Sequence, residues 1–212
     1  MNHEATDAIL LGFRGVHVWV TTVCDLMCAD CCQYIPSRAP GEHFAWSTFE
    51  HAARYLRGQE ICVIGGEPTT HPGFDRIARE FHTLFATDYV EILTNGYGVV
   101  KHAESMAYFD KVKLTNYPRI RTQAALVWLQ QHMPERLAVL ECGHVPLTTR
   151  GPGGPCIRRL APAYVNGRLH PCCWVPGFAD AETIALTDDW QERIAQVRAP
   201  CDLCPFSVEV VP

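Results

Sequence analysis

Short apolar runs of strand type alternate along this chain with stretches that space apolar residues at helical intervals. Residues 17–24 (HVWVTTVC) are apolar and β-branched, and predict a strand. Residues 46–59 have helical spacing, with Ser47 as N-cap and Glu50 three residues on, a capping box. Residues 60–64 (EICVI) predict a buried strand that runs into Gly65, Gly66, Glu67 and Pro68. The alternation continues with a helix over 74–86 and a strand over 89–93 that ends in Thr94, Asn95 and Gly96. A helix over 99–108 and a strand over 111–115, ending at Asn116 and Tyr117, come next. A helix over 122–133 and a fifth strand over 137–142 complete the series.

This is the signature of an α/β fold with a parallel sheet and helical crossovers. Five such units fall short of the eight of a closed barrel, so an open partial (βα) barrel of five to six parallel strands is expected. The residues of chemical interest fall just after strand ends, the edge where parallel α/β folds bind ligands.

The pattern breaks near His144. VPLTTRGPGGPC reads as a hinge loop. Residues 163–170 read as a hairpin, AYV and RLH joined by the turn pair Asn166–Gly167, and 188–198 as a last helix. Residues 1–143 therefore form the expected barrel and 144–212 a small C-terminal subdomain, too irregular to fold without a staple such as a metal.

Charge and composition narrow the function. A net charge of −5, with Arg158–Arg159 the longest basic run, argues against a nucleic-acid partner. No apolar stretch reaches membrane-spanning length, and MNHEATDAILLGFRG lacks the basic start of a signal peptide. A cytoplasmic location is the expectation. There, 11 cysteines, an odd number, read better as metal ligands than as disulfides.

The cysteines group at the two ends. Cys24, Cys28 and Cys31 stand in a C-x3-C-x2-C spacing, which can hold three corners of a 4Fe–4S cube and leave its fourth iron open for chemistry. Structural zinc and buried apolar cysteine are the plainer readings. Zinc usually takes paired C-x2-C knuckles, which this trio lacks, and Cys32 is an awkward fourth ligand beside Cys31. GGEP follows one strand later: two glycines permit close backbone approach, Pro68 stiffens the turn and Glu67 adds a carboxylate.

On these two motifs, residues 16–142 resemble the radical S-adenosylmethionine (SAM) superfamily. The resemblance implies that SAM chelates the open iron through its amino and carboxylate groups. It implies that Gly65, Gly66, Glu67 and Pro68 help hold the amino group, and that Asn95, Thr115 and Asn116 contact the ribose or carboxylate. It also implies reductive cleavage of SAM to a 5′-deoxyadenosyl radical, fed by a reductase such as flavodoxin or ferredoxin. One position departs from the family: Asp30 stands where an aromatic residue usually precedes the third cysteine, and Tyr34 or another ring would have to serve the adenine.

In the tail, Cys156, Cys172, Cys201 and Cys204 make a four-ligand set, with Cys173 an alternative to Cys172. Zinc or a second 4Fe–4S cluster satisfies that spacing alone. The pattern is similar to the twitch form of the SPASM auxiliary-cluster tail, and most like that of aminocyclitol dehydrogenases. This resemblance implies oxidation of a secondary alcohol on a small polar substrate such as a sugar or aminocyclitol. Epimerisation, with Cys142 as hydrogen-atom donor, and peptide maturation stay open, as does a non-catalytic zinc or iron–sulfur module. Arg150 is the candidate for substrate binding or deprotonation, with Arg158, Arg159, Glu91, Tyr117 and Glu141 as weaker candidates.

Overall fold

A computed structural model describes residues 15–26, 28, 31, 40–117, 122–141, 162–172 and 182–197. The strands are β1 (Val16–Thr21), β2 (Ile61–Gly65), β3 (Val90–Thr94), β4 (Lys111–Asn116), β5 (Leu137–Glu141), β6 (Ala163–Val165), β7 (Arg168–His170) and β8 (Ile184–Ala185). The helices are α1 (Trp46–Ala53), α2 (Phe74–Phe85), α3 (Ala103–Met106), α4 (Gln123–His132) and α5 (Trp190–Gln196). A 3-10 turn, Pro68–Thr70, follows β2.

The eight strands among the described residues lie in one sheet, in the order β5-β4-β3-β2-β1-β6-β7-β8. Neighbours from β5 to β6 run parallel, and β7 and β8 add antiparallel pairs. The fold is therefore α/β with a mostly parallel sheet, as the alternation predicts. The hairpin falls where the Asn-Gly pair predicts it, with Asn166 at φ 42 and Gly167 at φ 88 as a primed turn requires. Its first strand joins the main sheet: Ala163 and Tyr164 are in register with His17 and Val18.

The two sheet faces differ, because successive side chains point to opposite sides. One face carries Val16, Val18, Val20, Val63, Val90, Ile92, Val112 and Leu114 into a core shared with Phe49, Phe74, Ile77, Phe81 and Phe85. Burying each of these rings contributes roughly 1.5–3 kcal/mol. The Phe49–Phe81 and Phe81–Phe85 centroids are 5.3 and 5.1 Å apart, edge to face, so α1 and α2 interlock over the sheet. Opposite, the register aligns His17 with Cys62 and Cys62 with Glu91. There Lys113 Nζ lies 2.5 Å from Glu91 Oε1, in a buried ion pair that the Tyr89 hydroxyl joins at 3.1 Å. Glu91 is thus the second residue of its strand, paired away from the ligand edge, and not the strand-end substrate contact the sequence offered.

Two helices are shorter than their periodicity. α1 ends at Ala53, where the chain turns toward β2 and Gly58 donates to the Phe85 carbonyl at 2.9 Å. The capping box does not form: Ala45 is the N-cap and no side chain caps it. The helix expected over 99–108 is reduced to Ala103–Met106. Asp75 on α2 accepts from His102 and Ser105 at 2.8 and 2.6 Å, which pins this segment side-on to α2.

Candidate functional site

The C-terminal end of β1 is clamped from both sides. On one side Glu42 and Phe44 exchange backbone hydrogen bonds with it: Thr22 N donates to Glu42 O at 2.8 Å and Phe44 N to Val20 O at 3.0 Å. On the other, Gly66 N donates to Thr21 O and Glu67 N to Val23 O, both at 2.8 Å. The GGEP turn of β2 is therefore stitched to the chain just before Cys24.

That stitching explains the glycines. A Cβ on Gly65 would lie 2.2 Å from Thr21 O, and one on Gly66 would lie 2.1 Å from Val23 O. Gly65 also has φ 144, a conformation side chains rarely adopt. The close approach these residues permit is to the base of the cysteine loop itself.

Glu67 is 1 % exposed, and its carboxylate faces into the fold. Oε1 accepts from Thr69 N at 3.1 Å, Thr69 Oγ1 at 2.6 Å and Thr94 Oγ1 at 2.7 Å; Oε2 accepts from Asn95 N at 2.7 Å. Burial holds its pKa above the usual carboxylate value, and these four donors offset only part of that rise. The carboxylate thus ties the end of β2 to the end of β3.

Asn95 carries the tie onward to the cysteine loop. Its Nδ2 donates to Asp25 Oδ1 at 2.6 Å, while its Oδ1 accepts from Tyr97 N at 3.0 Å. Asp25 is exposed and directly follows Cys24. It is not among the residues the sequence singles out. The only signal it carries there is an acidic side chain between two candidate ligands.

Thr115 and Asn116 end β4, the next strand along the same edge, and Asn116 Oδ1 accepts from Thr122 Oγ1 at 3.4 Å. Cys172 is buried just beyond β7. Because β7 runs antiparallel, its His170 pairs with Ala163, which is in register with His17, so that end lies at the opposite edge of the sheet from Cys24. Cys142, Arg150, Cys156, Cys201 and Cys204 lie outside the described residues, as do Asp30, Tyr34, Arg158, Arg159 and Cys173.

The cysteine loop fits thiolate-bound iron by the chemistry of its donors. Cys24, Cys28 and Cys31 are all half-buried, and Cys24 and Cys31 pack against the main core. Among the described residues, no three Cys, His, Asp or Glu side chains converge as a metal cage. Burial pushes the Cys24 thiol up to about 12, against a 3.4 Å hydrogen bond from Leu26 N that favours the thiolate. A cation bound there would draw the proton off.

No protein-family model matches the chain, and neither does any curated protein. Solved structures do match. BtrN in complex with AdoMet and 2-DOIA aligns with a TM-score of 0.65 at 14% identity, covering 87% of this chain and 82% of that one. Selenomethionine BtrN in an open conformation aligns with a TM-score of 0.62, also at 14% identity, covering 93% of each chain. Among the described residues no helix is long and apolar enough to cross a membrane. At this level of identity the likeness is one of architecture, and in architecture the chain is similar to BtrN over most of both lengths.

Proposed function

We propose that this chain is a radical SAM enzyme that oxidises a secondary alcohol on a small polar molecule of the sugar or aminocyclitol class. One observation carries the reading. The C-x3-C-x2-C loop leaves β1, the GGEP turn leaves the neighbouring parallel strand β2, and two backbone hydrogen bonds of 2.8 Å join them at the C-terminal edge of the sheet. The presence of AdoMet and 2-DOIA in the BtrN complex supports the same cofactor and substrate class here.

In this reading Cys24, Cys28 and Cys31 hold a 4Fe–4S cluster. The GGEP backbone, Asn95, Thr115 and Asn116 border the SAM site. When bound, cluster and cofactor together supply hydrogen-atom abstraction. A carbinol carbon that loses a hydrogen atom must still lose one proton and one electron to become a carbonyl. Arg150 is proposed to assist the proton's departure. The tail set, Cys156, Cys172, Cys201 and Cys204, is proposed to hold the electron acceptor as a second 4Fe–4S cluster. A flavodoxin or ferredoxin would reduce the first cluster.

Anaerobic reconstitution tests this. Two cubes give about eight irons per chain, whereas one cube and a structural zinc give about four irons and one zinc. Incubation with SAM and dithionite should release 5′-deoxyadenosine, and a variant with Cys24, Cys28 and Cys31 changed to Ala should not. Iron-loaded wild-type protein that releases none would overturn the assignment.

A further inference from the structure

Among the described residues, the carboxylates of Glu67 and Asp25 both stand near the base of the cysteine loop, and they are presented differently. Glu67 is 1 % exposed, and its two oxygens accept four hydrogen bonds from Thr69, Thr94 and Asn95. Turning it toward a ligand would leave those buried donors without their acceptor, at a cost of about 1–3 kcal/mol for each group left unsatisfied. Asp25 is exposed, sits next in sequence to Cys24, and is aimed by a 2.6 Å hydrogen bond from Asn95 Nδ2. Asn95 is itself fixed at its backbone N–H by Glu67 and at its Oδ1 by Tyr97 N. The relay Glu67–Asn95–Asp25 thus runs from the buried GGEP turn outward to one solvent-facing carboxylate beside a proposed iron ligand.

We propose that Asp25, held in place by Asn95, is the side-chain carboxylate that accepts a hydrogen bond from the α-amino group of SAM, while Glu67 acts behind it as a positioning residue. The inference rests on the radical SAM reading and adds to it a specific recognition residue. Oδ1 is engaged by Asn95, which leaves Oδ2 as the acceptor for the ligand. The GGEP backbone remains beside it for the same group.

The test is binding, not turnover. Asp25→Asn is close in shape and keeps an oxygen for Asn95 Nδ2, but it has no anionic acceptor left to present. Wild type and variant are reconstituted anaerobically as full chains and matched for iron content and visible spectrum. SAM is then titrated against the electron paramagnetic resonance signal of the reduced cluster, and in parallel by equilibrium dialysis. The same titration is run with the SAM analogue whose α-amino group is replaced by an oxo group.

The expected result is about tenfold weaker SAM binding by Asp25→Asn, the size of one lost hydrogen bond to a charged group. Affinity for the oxo analogue should be equal in the two proteins. SAM binding unchanged in the variant overturns the proposal. An equal loss for SAM and the analogue also overturns it, because Asp25 would then serve another part of the ligand or only the loop. Wild-type protein that loads iron but does not bind SAM removes the underlying functional reading, and this inference with it. A variant defect confined to SAM in an otherwise competent pair of proteins separates the two cases.

Discussion

The Glu67 carboxylate and the Asn95 backbone N–H meet at 2.7 Å across the ends of β2 and β3, out of reach of solvent. Glu67→Gln keeps the shape but offers one acceptor where two were used, and turns an NH2 group toward buried donors. The expected cost is about 1–3 kcal/mol. For a chain of this size that is a fall in Tm of about 2–4 °C per kcal/mol. Thr69→Val removes one donor, Oγ1, and leaves the carboxylate its other three, so it should cost less. Thermal melts that rank the two variants the other way would show that the carboxylate is not the keystone of this corner.

Gly66 separates packing from conformation. A Cβ there would meet the Val23 carbonyl oxygen, a backbone atom, at 2.1 Å, so Gly66→Ala must push the GGEP turn away from the cysteine loop. Overpacking of this kind costs about 1–3 kcal/mol. Gly58 has φ 73 with nothing within 4 Å of the place a Cβ would occupy, so Gly58→Ala costs about 1–2 kcal/mol through backbone strain alone. Both variants should melt earlier, and only Gly66→Ala should also retain less iron after desalting. Equal iron retention would mean the turn does not position the cysteines.

The strands were readable because each buried run is short, β-branched and followed by polar or glycine-rich residues, as at Ile61–Gly65 and Val90–Thr94. The Asn166–Gly167 hairpin was readable because its turn demands positive φ at both positions. The cysteine and GGEP motifs were readable as a pair, and the sheet makes their strands neighbours. What escaped depended on partners distant in sequence. Asp25 acquires Asn95 only when the end of β3 arrives beside the loop, 70 residues on. Glu91 looked like a strand-end carboxylate, but the register sets it opposite Lys111 and brings Lys113, two residues further along the same face, into its ion pair. The 99–108 segment kept its helical spacing, but Asp75 captured His102 and Ser105 and held most of it as turns.

The Lys113–Glu91 pair carries its own prediction. Both side chains are almost fully buried, 3 % and 1 % exposed. Removing one partner strands a charge in the interior, so Lys113→Met should cost about 3–5 kcal/mol in urea unfolding. The double change Lys113→Met with Glu91→Leu removes both charges, and such replacements are often neutral or stabilising. The double variant should therefore be more stable than Lys113→Met alone. A double variant no better than the single would mean that Lys113 serves a partner other than Glu91.

His71 makes stability depend on pH. Gly73 N donates to its Nδ1 at 2.9 Å, so the ring proton sits on Nε2, 3.0 Å from the Phe44 carbonyl it donates to. Burial is the main cause that lowers its pKa below 6.5; the Phe44 carbonyl opposes this, and the charge of neighbouring His43 adds to it. A histidine with a depressed folded pKa takes up its proton more readily when unfolded. Its contribution is fully present above the unfolded value of about 6.5 and is lost as pH falls through the folded one. His43, whose ring centroid is 5.3 Å away, is also lowered by burial and has the same sign. Wild type should lose Tm steadily between about pH 7 and pH 5, and His71→Asn, which can still accept from Gly73 N but does not titrate, should lose less. The change matters at the site because the Phe44 segment that His71 holds also braces the end of β1 through Phe44 N and Val20 O. Parallel melting curves for the two proteins across that range would place the pH sensitivity elsewhere.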